Sequence, residues 1–128
     1  MNDHSKKTCI IIEDNPAFVK VLEQYIKRLE DLEIVGCFHD SIGSAMSISR
    51  YQPDLIFLDI GISGLTGLEM LETVNYKPKT IVISNHSPDY LEFSDSEVKV
   101  DAFMQKPIQF DQFEKVVNEV LKANTVEN

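Results

Sequence analysis

Two places in this chain put carboxylates directly after short apolar runs. Glu13 and Asp14 follow Thr8-Cys9-Ile10-Ile11-Ile12, and Asp59 follows Leu55-Ile56-Phe57-Leu58. A hydroxyl, Ser84, follows Thr80-Ile81-Val82-Ile83, and an ammonium, Lys106, comes just after Ala102-Phe103-Met104. Three carboxylates at one crevice repel one another, so either their pKa values rise or a cation sits among them. An oxygen-only set suits a hard ion such as Mg²⁺, which keeps waters and uses one or two carboxylates. Zn²⁺ is poorly served, because His4, His39 and His86 are scattered and Cys9 and Cys37 lack ligand spacing. A carboxylate beside Mg²⁺, with a lysine and a hydroxyl near it, can attack phosphorus and become an acyl phosphate. In that chemistry Asp59 is the nucleophile, Asp14 a metal ligand and Glu13 a ligand acting through water. Lys106 and Ser84 contact the transferred phosphoryl group. Taken singly, Glu13, Asp14 and Asp59 read better as helix caps or solvated loop residues, Ser84 as a loop serine and Lys106-Pro107 as a surface turn. The signal lies in the set.

The set needs a scaffold that brings the ends of separate apolar runs together. Residues 8–12, 33–38, 55–58, 80–83 and 102–104 read as strands, three of them as continuous apolar runs of the kind buried on both faces of a sheet. Between them lie helical patterns. Asn15-Pro16 caps and opens a helix over about residues 15–30, with Phe18, Val21, Leu22, Tyr25, Ile26 and Leu29 at helical spacing. Ser41 is the expected cap of a second helix ended near Pro53. Leu68, Met70, Leu71 and Val74 give a short third helix after a loop marked by Gly61, Gly64 and Gly67. Residues 87–99 give a weak fourth, with Ser and Asp scattered through it. Phe110, Phe113, Val116, Val117, Val120 and Leu121 give a final helix ending near Lys122. Five βα units with short connections call for a parallel sheet with helices on both faces. In such sheets ligands bind at the strands' carboxyl edge, where strand order reverses. For the order 2-1-3-4-5 that point lies between the first and third strands, which end at Asp14 and Asp59.

Composition narrows the alternatives. The chain has 128 residues, 43% hydrophobic and 26% charged, enough for one domain with a real core. Its 21 acids against 12 bases give a net charge of −9, which repels polyphosphate and argues against direct nucleic-acid binding. No apolar run approaches a membrane span, and MNDHSKK at the N-terminus has no apolar signal region. The expectation is therefore a cytoplasmic protein in which Cys9 and Cys37 are buried free thiols. Residues 1–7 and 123–128 read as polar termini.

With these pieces in hand, the sequence resembles the two-component response regulator receiver family, the CheY-like receivers, over about residues 8–122. The matching pieces are Ile12-Glu13-Asp14-Asn15-Pro16, Pro53-Asp54-Leu55-Ile56-Phe57-Leu58-Asp59-Ile60 and Gly67. Ile81-Val82-Ile83-Ser84 and Asp101-Ala102-Phe103-Met104-Gln105-Lys106-Pro107 complete the set. The resemblance implies a single receiver domain over residues 1–128 with a flavodoxin-like (βα)5 fold and strand order 2-1-3-4-5. It implies that Asp59 is the phosphoacceptor and that Glu13, Asp14, Asp59 and the Gly61 carbonyl hold Mg²⁺. By the same comparison Lys106 takes the family's lysine position, Ser84 is the switch hydroxyl and Phe103 the switch aromatic, with a cis peptide between Lys106 and Pro107.

The implied function is a phosphorelay receiver that takes a phosphoryl group from a sensor histidine kinase or histidine phosphotransfer protein and switches a partner-binding face. Downstream, the readings are an output protein, a missing C-terminal effector domain or a weak homodimer; residues 123–128 leave no room for an output domain in this chain. The alternative is a degenerate receiver that binds a partner without phosphorylation. A haloacid dehalogenase-type hydrolase is disfavoured because it expects an acid where Gly61 stands, and no dinucleotide or P-loop pattern follows the first strand. Three departures from the family stand out. Ser63 replaces the usual Pro, Asn85 replaces a small residue, and Gly61 has no side chain to obstruct attacking water.

Overall fold

The computed structural model describes residues 6–59, 74–76, 78–85 and 100–126; at 41, 42 and 123–126 only the backbone is described. Five strands form one parallel sheet in the order β2-β1-β3-β4-β5. They are β1 (Lys7–Ile12), β2 (Leu32–Phe38), β3 (Leu55–Asp59), β4 (Lys79–Ser84) and β5 (Ala102–Gln105). Three helices accompany them among the described residues: α1 (Pro16–Lys27), α2 (Ser41–Tyr51) and α3 (Phe110–Val126). The third and fourth helices expected from sequence, over 68–74 and 87–99, lie outside the described residues, apart from Val74. So do Gly61, Ser63, Gly64, Gly67, His4 and His86. The strand order is the expected one.

The apolar runs are continuous because helices cover both faces of the sheet. Along β1 and β3 the side chains alternate between two cores. Cys9, Ile11, Leu55 and Phe57 pack with Leu22 and Ile26 of α1 and Phe113, Val117 and Val120 of α3. Ile10, Ile12, Ile56 and Leu58 pack with Ile48 of α2, Val74 and Val82. A one-residue slip of either strand would exchange these sets, so the register of the strand ends is firmly set. At the opposite edge of the sheet Asp54 accepts the Thr8 N–H at 2.7 Å and Asp101 accepts the Thr80 N–H at 2.8 Å. These bonds occupy backbone donors that the strands leave open there.

Helix ends follow local chemistry. Asn15 accepts the N–H groups of Ala17 and Phe18, and Pro16 takes the first helical position, where no N–H is needed. The cap of α2 is Asp40 rather than Ser41. Asp40 has extended backbone and accepts the Gly43 N–H at 2.9 Å, and its negative charge suits the positive end of the helix. Gln52, at φ 46°, closes α2 in the left-handed region and donates its N–H to Ile48 O. Helix α3 runs to Val126, beyond the expected end near Lys122. No Gly or Pro interrupts it there, and Ala123 is a strong helix former.

Cys9 is buried and its thiol is pushed up to about 12, chiefly by burial. Cys37 is also free but only half-buried, contrary to expectation, because β2 is an edge strand. His39 is exposed.

Phe113 is fully buried and stacks on Phe57 with centroids 5.4 Å apart, joining α3 to the centre of the sheet. Phe113→Ala is expected to lower unfolding stability by about 3–5 kcal/mol in urea titration. Met46, 70% exposed on α2, provides the control, since Met46→Ala is expected to stay within about 0.5 kcal/mol of wild type.

Candidate functional site

The ladder continues one residue past β1 and β5 at the carboxyl edge. The Glu13 N–H donates to Phe38 O at 3.0 Å, and the Lys106 N–H donates to Ser84 O at 2.8 Å. Both backbones are therefore held by the sheet rather than by loops. β3 ends on Asp59, in register with Ile83, and β4 ends on Ser84. The Lys106–Pro107 peptide is cis, as the resemblance implied.

Four charged side chains meet here. Glu13, Asp14 and Asp59 each bring a carboxylate oxygen within 4.8 Å of the others. The Lys106 ammonium lies 3.1 Å from Glu13 Oε1, 3.3 Å from Oε2 and 3.9 Å from Asp59 Oδ2. Glu13 is only 1% exposed, whereas Asp14 is open to solvent. Glu13 Oε2 also accepts the Asn15 N–H at 3.1 Å. Oε1 faces the ammonium closely but at an angle that makes no directional hydrogen bond, so a buried acceptor is left short of a donor. That contact is an ion pair and leaves lone-pair capacity on Oε1.

Burial raises the Glu13 carboxyl from 4.5 to about 7, with the negative charge of Asp59 and a hydrogen bond to it adding to the rise; Lys106 and the Asn15 N–H oppose it. Three carboxylates against one ammonium leave two negative charges when all are ionised, the charge of one divalent cation. The donor set is oxygen-only and includes an under-bonded buried oxygen. These residues fit a hard ion of the Mg²⁺ class.

The structure thus brings together Glu13, Asp14, Asp59 and Lys106 from three different strand ends. Ser84 is 2% exposed on the same edge, at the end of β4. Phe103 is half-buried in β5, in register with Val82, and packs on the core that α2 covers. Gly61, the fourth expected metal ligand, lies outside the described residues. Two neighbours had no assigned part in the sequence reading. Asn15 was legible only as a cap, yet its N–H also donates to Glu13. Phe18 was legible only as part of the apolar stripe, yet its ring lies 4.4 Å from the Lys106 ammonium. An Asn two residues after a buried acid is the signal that could have found the first. The second joins residues 88 apart in sequence, and nothing local marks it.

A family model described as the response regulator receiver domain matches residues 9–118. A protein-glutamate methylesterase/protein-glutamine glutaminase from Methanospirillum hungatei is 32% identical over 104 residues, covering 77% of this chain and 30% of that protein. The chain spans half or less of the length of the curated relatives it matches, with 48% and 50% for two others. Among solved structures, a LuxR-family DNA-binding response regulator from Staphylococcus aureus is 28% identical, with a TM-score of 0.77 over 89% of this chain and 98% of that one. The receiver domain of a sensor histidine kinase from Pseudomonas aeruginosa, solved with a magnesium ion coordinated in its active site cleft, is 15% identical. Its TM-score is 0.79 over 92% of this chain and 99% of that one. No helix among the described residues is long and apolar enough to cross a membrane.

The raised Glu13 carboxyl has a measurable consequence in metal-free protein. The folded state holds this proton more tightly than the unfolded chain, so its contribution to stability is complete below 4.5 and is lost as pH rises through about 7. In EDTA, Glu13→Gln is expected to gain stability relative to wild type as pH rises from 4.5 to about 7, and to hold that gain above it, in paired urea titrations. Mg²⁺ at a hundredfold over its Kd is expected to stabilise wild type by about 2.7 kcal/mol, and Glu13→Gln by less. A pH-independent difference between the two proteins would contradict the assignment.

Proposed function

The chain belongs to the response regulator receiver domain family, a family of signalling domains, and from that premise we propose that it accepts a phosphoryl group on Asp59 in a His-Asp phosphorelay. One observation carries the reading. A carboxylate at the end of a central strand shares a compact site with two further carboxylates and lies 3.9 Å from a lysine ammonium. That is the equipment for forming an acyl phosphate.

Glu13, Asp14 and Asp59, with the Gly61 carbonyl as a further ligand, would hold Mg²⁺, and the sensor kinase receiver described above, with magnesium in its cleft, is consistent with this. When bound, the ion would supply positive charge that offsets the negative charge of Asp59 and of the phosphoryl group. Asp59 attacks the phosphorus of a phosphohistidine on a sensor kinase or phosphotransfer protein. The P–O bond forms as the P–N bond breaks, and the imidazole leaves with the P–N electron pair. Lys106 stabilises the charge on the transferred group, and Glu13, which the ammonium also contacts, holds it at the site's edge. Ser84 then donates its hydroxyl to a phosphoryl oxygen. Its inward movement leaves room for Phe103 to swing toward it, which reshapes the face around β5 and α3. Such a switch is a shift between two populations, and inverting it from 1:99 to 99:1 needs about 5.5 kcal/mol of differential contact.

In this reading the chain is one cytoplasmic receiver domain that promotes its own phosphorylation and dephosphorylation and has no separate substrate to turn over. Its downstream partner is an output protein or an effector domain of a longer chain. Incubation with acetyl phosphate and Mg²⁺, followed on phosphate-affinity gels, tests the acceptor. Wild type is expected to shift, and Asp59→Asn to show no shift. Labelling of Asp59→Asn at the wild-type rate would overturn the assignment.

A further inference from the structure

The Lys106 ammonium has a third neighbour besides the two carboxylates. The Phe18 ring of α1 lies with its centroid 4.4 Å from Nζ, and the lysine side chain is only 12% exposed. A cation over an aromatic face is attracted by the ring's quadrupole, most strongly where water is largely excluded. The ring is not placed by core packing alone. Asn15 Oδ1 accepts the Phe18 N–H at 3.3 Å and the Ala17 N–H at 2.9 Å, while the Asn15 N–H donates to Glu13 Oε2 at 3.1 Å. One residue therefore fixes the first turn of α1 to the same carboxylate that Lys106 contacts. The ammonium is held between an acid and an aromatic face whose relative positions are set by a single cap.

We propose that Phe18 is a positioning residue for phosphoryl transfer, holding the Lys106 ammonium at the edge of the acidic site through its aromatic face. The inference rests on the reading of Asp59 as phosphoacceptor with Lys106 contacting the phosphoryl group. It adds a requirement that apolar bulk on α1 does not meet. Leucine fills much of the same space and offers no quadrupole, whereas tryptophan offers a stronger one. The carboxylates that bind the metal are untouched by either change.

The test uses wild type, Phe18→Leu and Phe18→Trp. Calorimetric Mg²⁺ affinity, thermal midpoint and the rate of phosphorylation by acetyl phosphate at saturating Mg²⁺ are measured for each. A small-molecule donor keeps any effect on kinase docking out of the result. Phe18→Leu is expected to keep wild-type Mg²⁺ affinity and to phosphorylate about three- to tenfold more slowly, the rate equivalent of a cation–π contact intermediate between the exposed and the desolvated case. Phe18→Trp is expected to retain the wild-type rate. A wild-type rate in Phe18→Leu, an equal loss in Phe18→Trp, or a loss of Mg²⁺ affinity matching the loss of rate would each overturn the proposal. Asp59→Asn runs beside them. If wild type is not labelled, or Asp59→Asn is labelled as fast, the acceptor assignment has failed; a labelled wild type with a silent Asp59→Asn leaves any negative result to Phe18 alone.

Discussion

A carboxylate that is 1% exposed, Glu13, faces the carboxylate of Asp59 across the ends of neighbouring strands. Placing two acids together out of water is unfavourable unless something positive or a proton joins them. In the metal-free protein two things ease the repulsion. Lys106 lies against Glu13, and burial together with the charge of Asp59 raises the Glu13 carboxyl to about 7, so it is part-protonated near neutrality. Neither fully satisfies the site, since Oε1 lacks a directional donor. A site left in that condition favours a divalent cation, and in the proposed function the same ion would offset the charge of Asp59 toward an incoming phosphoryl group. The proposed metal binding and phosphoryl acceptance would thus share one electrostatic origin.

The sheet makes the repulsion unavoidable. Alternation along β1 and β3 sends Cys9, Ile11, Leu55 and Phe57 to one core and Ile10, Ile12, Ile56 and Leu58 to the other. With register locked by both cores, the strands deliver Glu13 and Asp59 to one edge whatever the acids prefer. The hydrophobic free energy of both faces is what holds the charges in place. β5 joins the site from the far side of β4, and the bond from the Lys106 N–H to Ser84 O ties its lysine to the strand bearing the hydroxyl. Lysine and hydroxyl therefore share a backbone connection between β5 and β4.

Much of this was legible in the sequence, for reasons that differ between residues. The buried strands announced themselves as apolar runs, and a polar residue directly after such a run has little choice but the sheet edge. The placement of Asp14, Asp59, Ser84 and Lys106 at that edge was legible in this way. The strand order rested on a resemblance, since periodicity does not fix which strands pair. The near-complete burial of Glu13 was not legible, because an acid before a second acid reads like any solvated turn. The α2 cap was misplaced by one residue because Asp40 and Ser41 are both good caps and only the backbone angles choose between them. The contact of Phe18 with Lys106 was not legible, because helical spacing records that a residue faces inward and not what it meets there.

If the Glu13, Asp14 and Asp59 carboxylates form one divalent-cation site with the Lys106 ammonium beside it, anomalous diffraction from crystals soaked in Mn²⁺ will show the ion there. The expected result is one peak among these carboxylates, with direct oxygen ligands at about 2.0–2.2 Å and the Lys106 ammonium outside the coordination sphere. A soaked crystal with no peak there, or with the ammonium occupying the position between Glu13 and Asp59, would contradict the account.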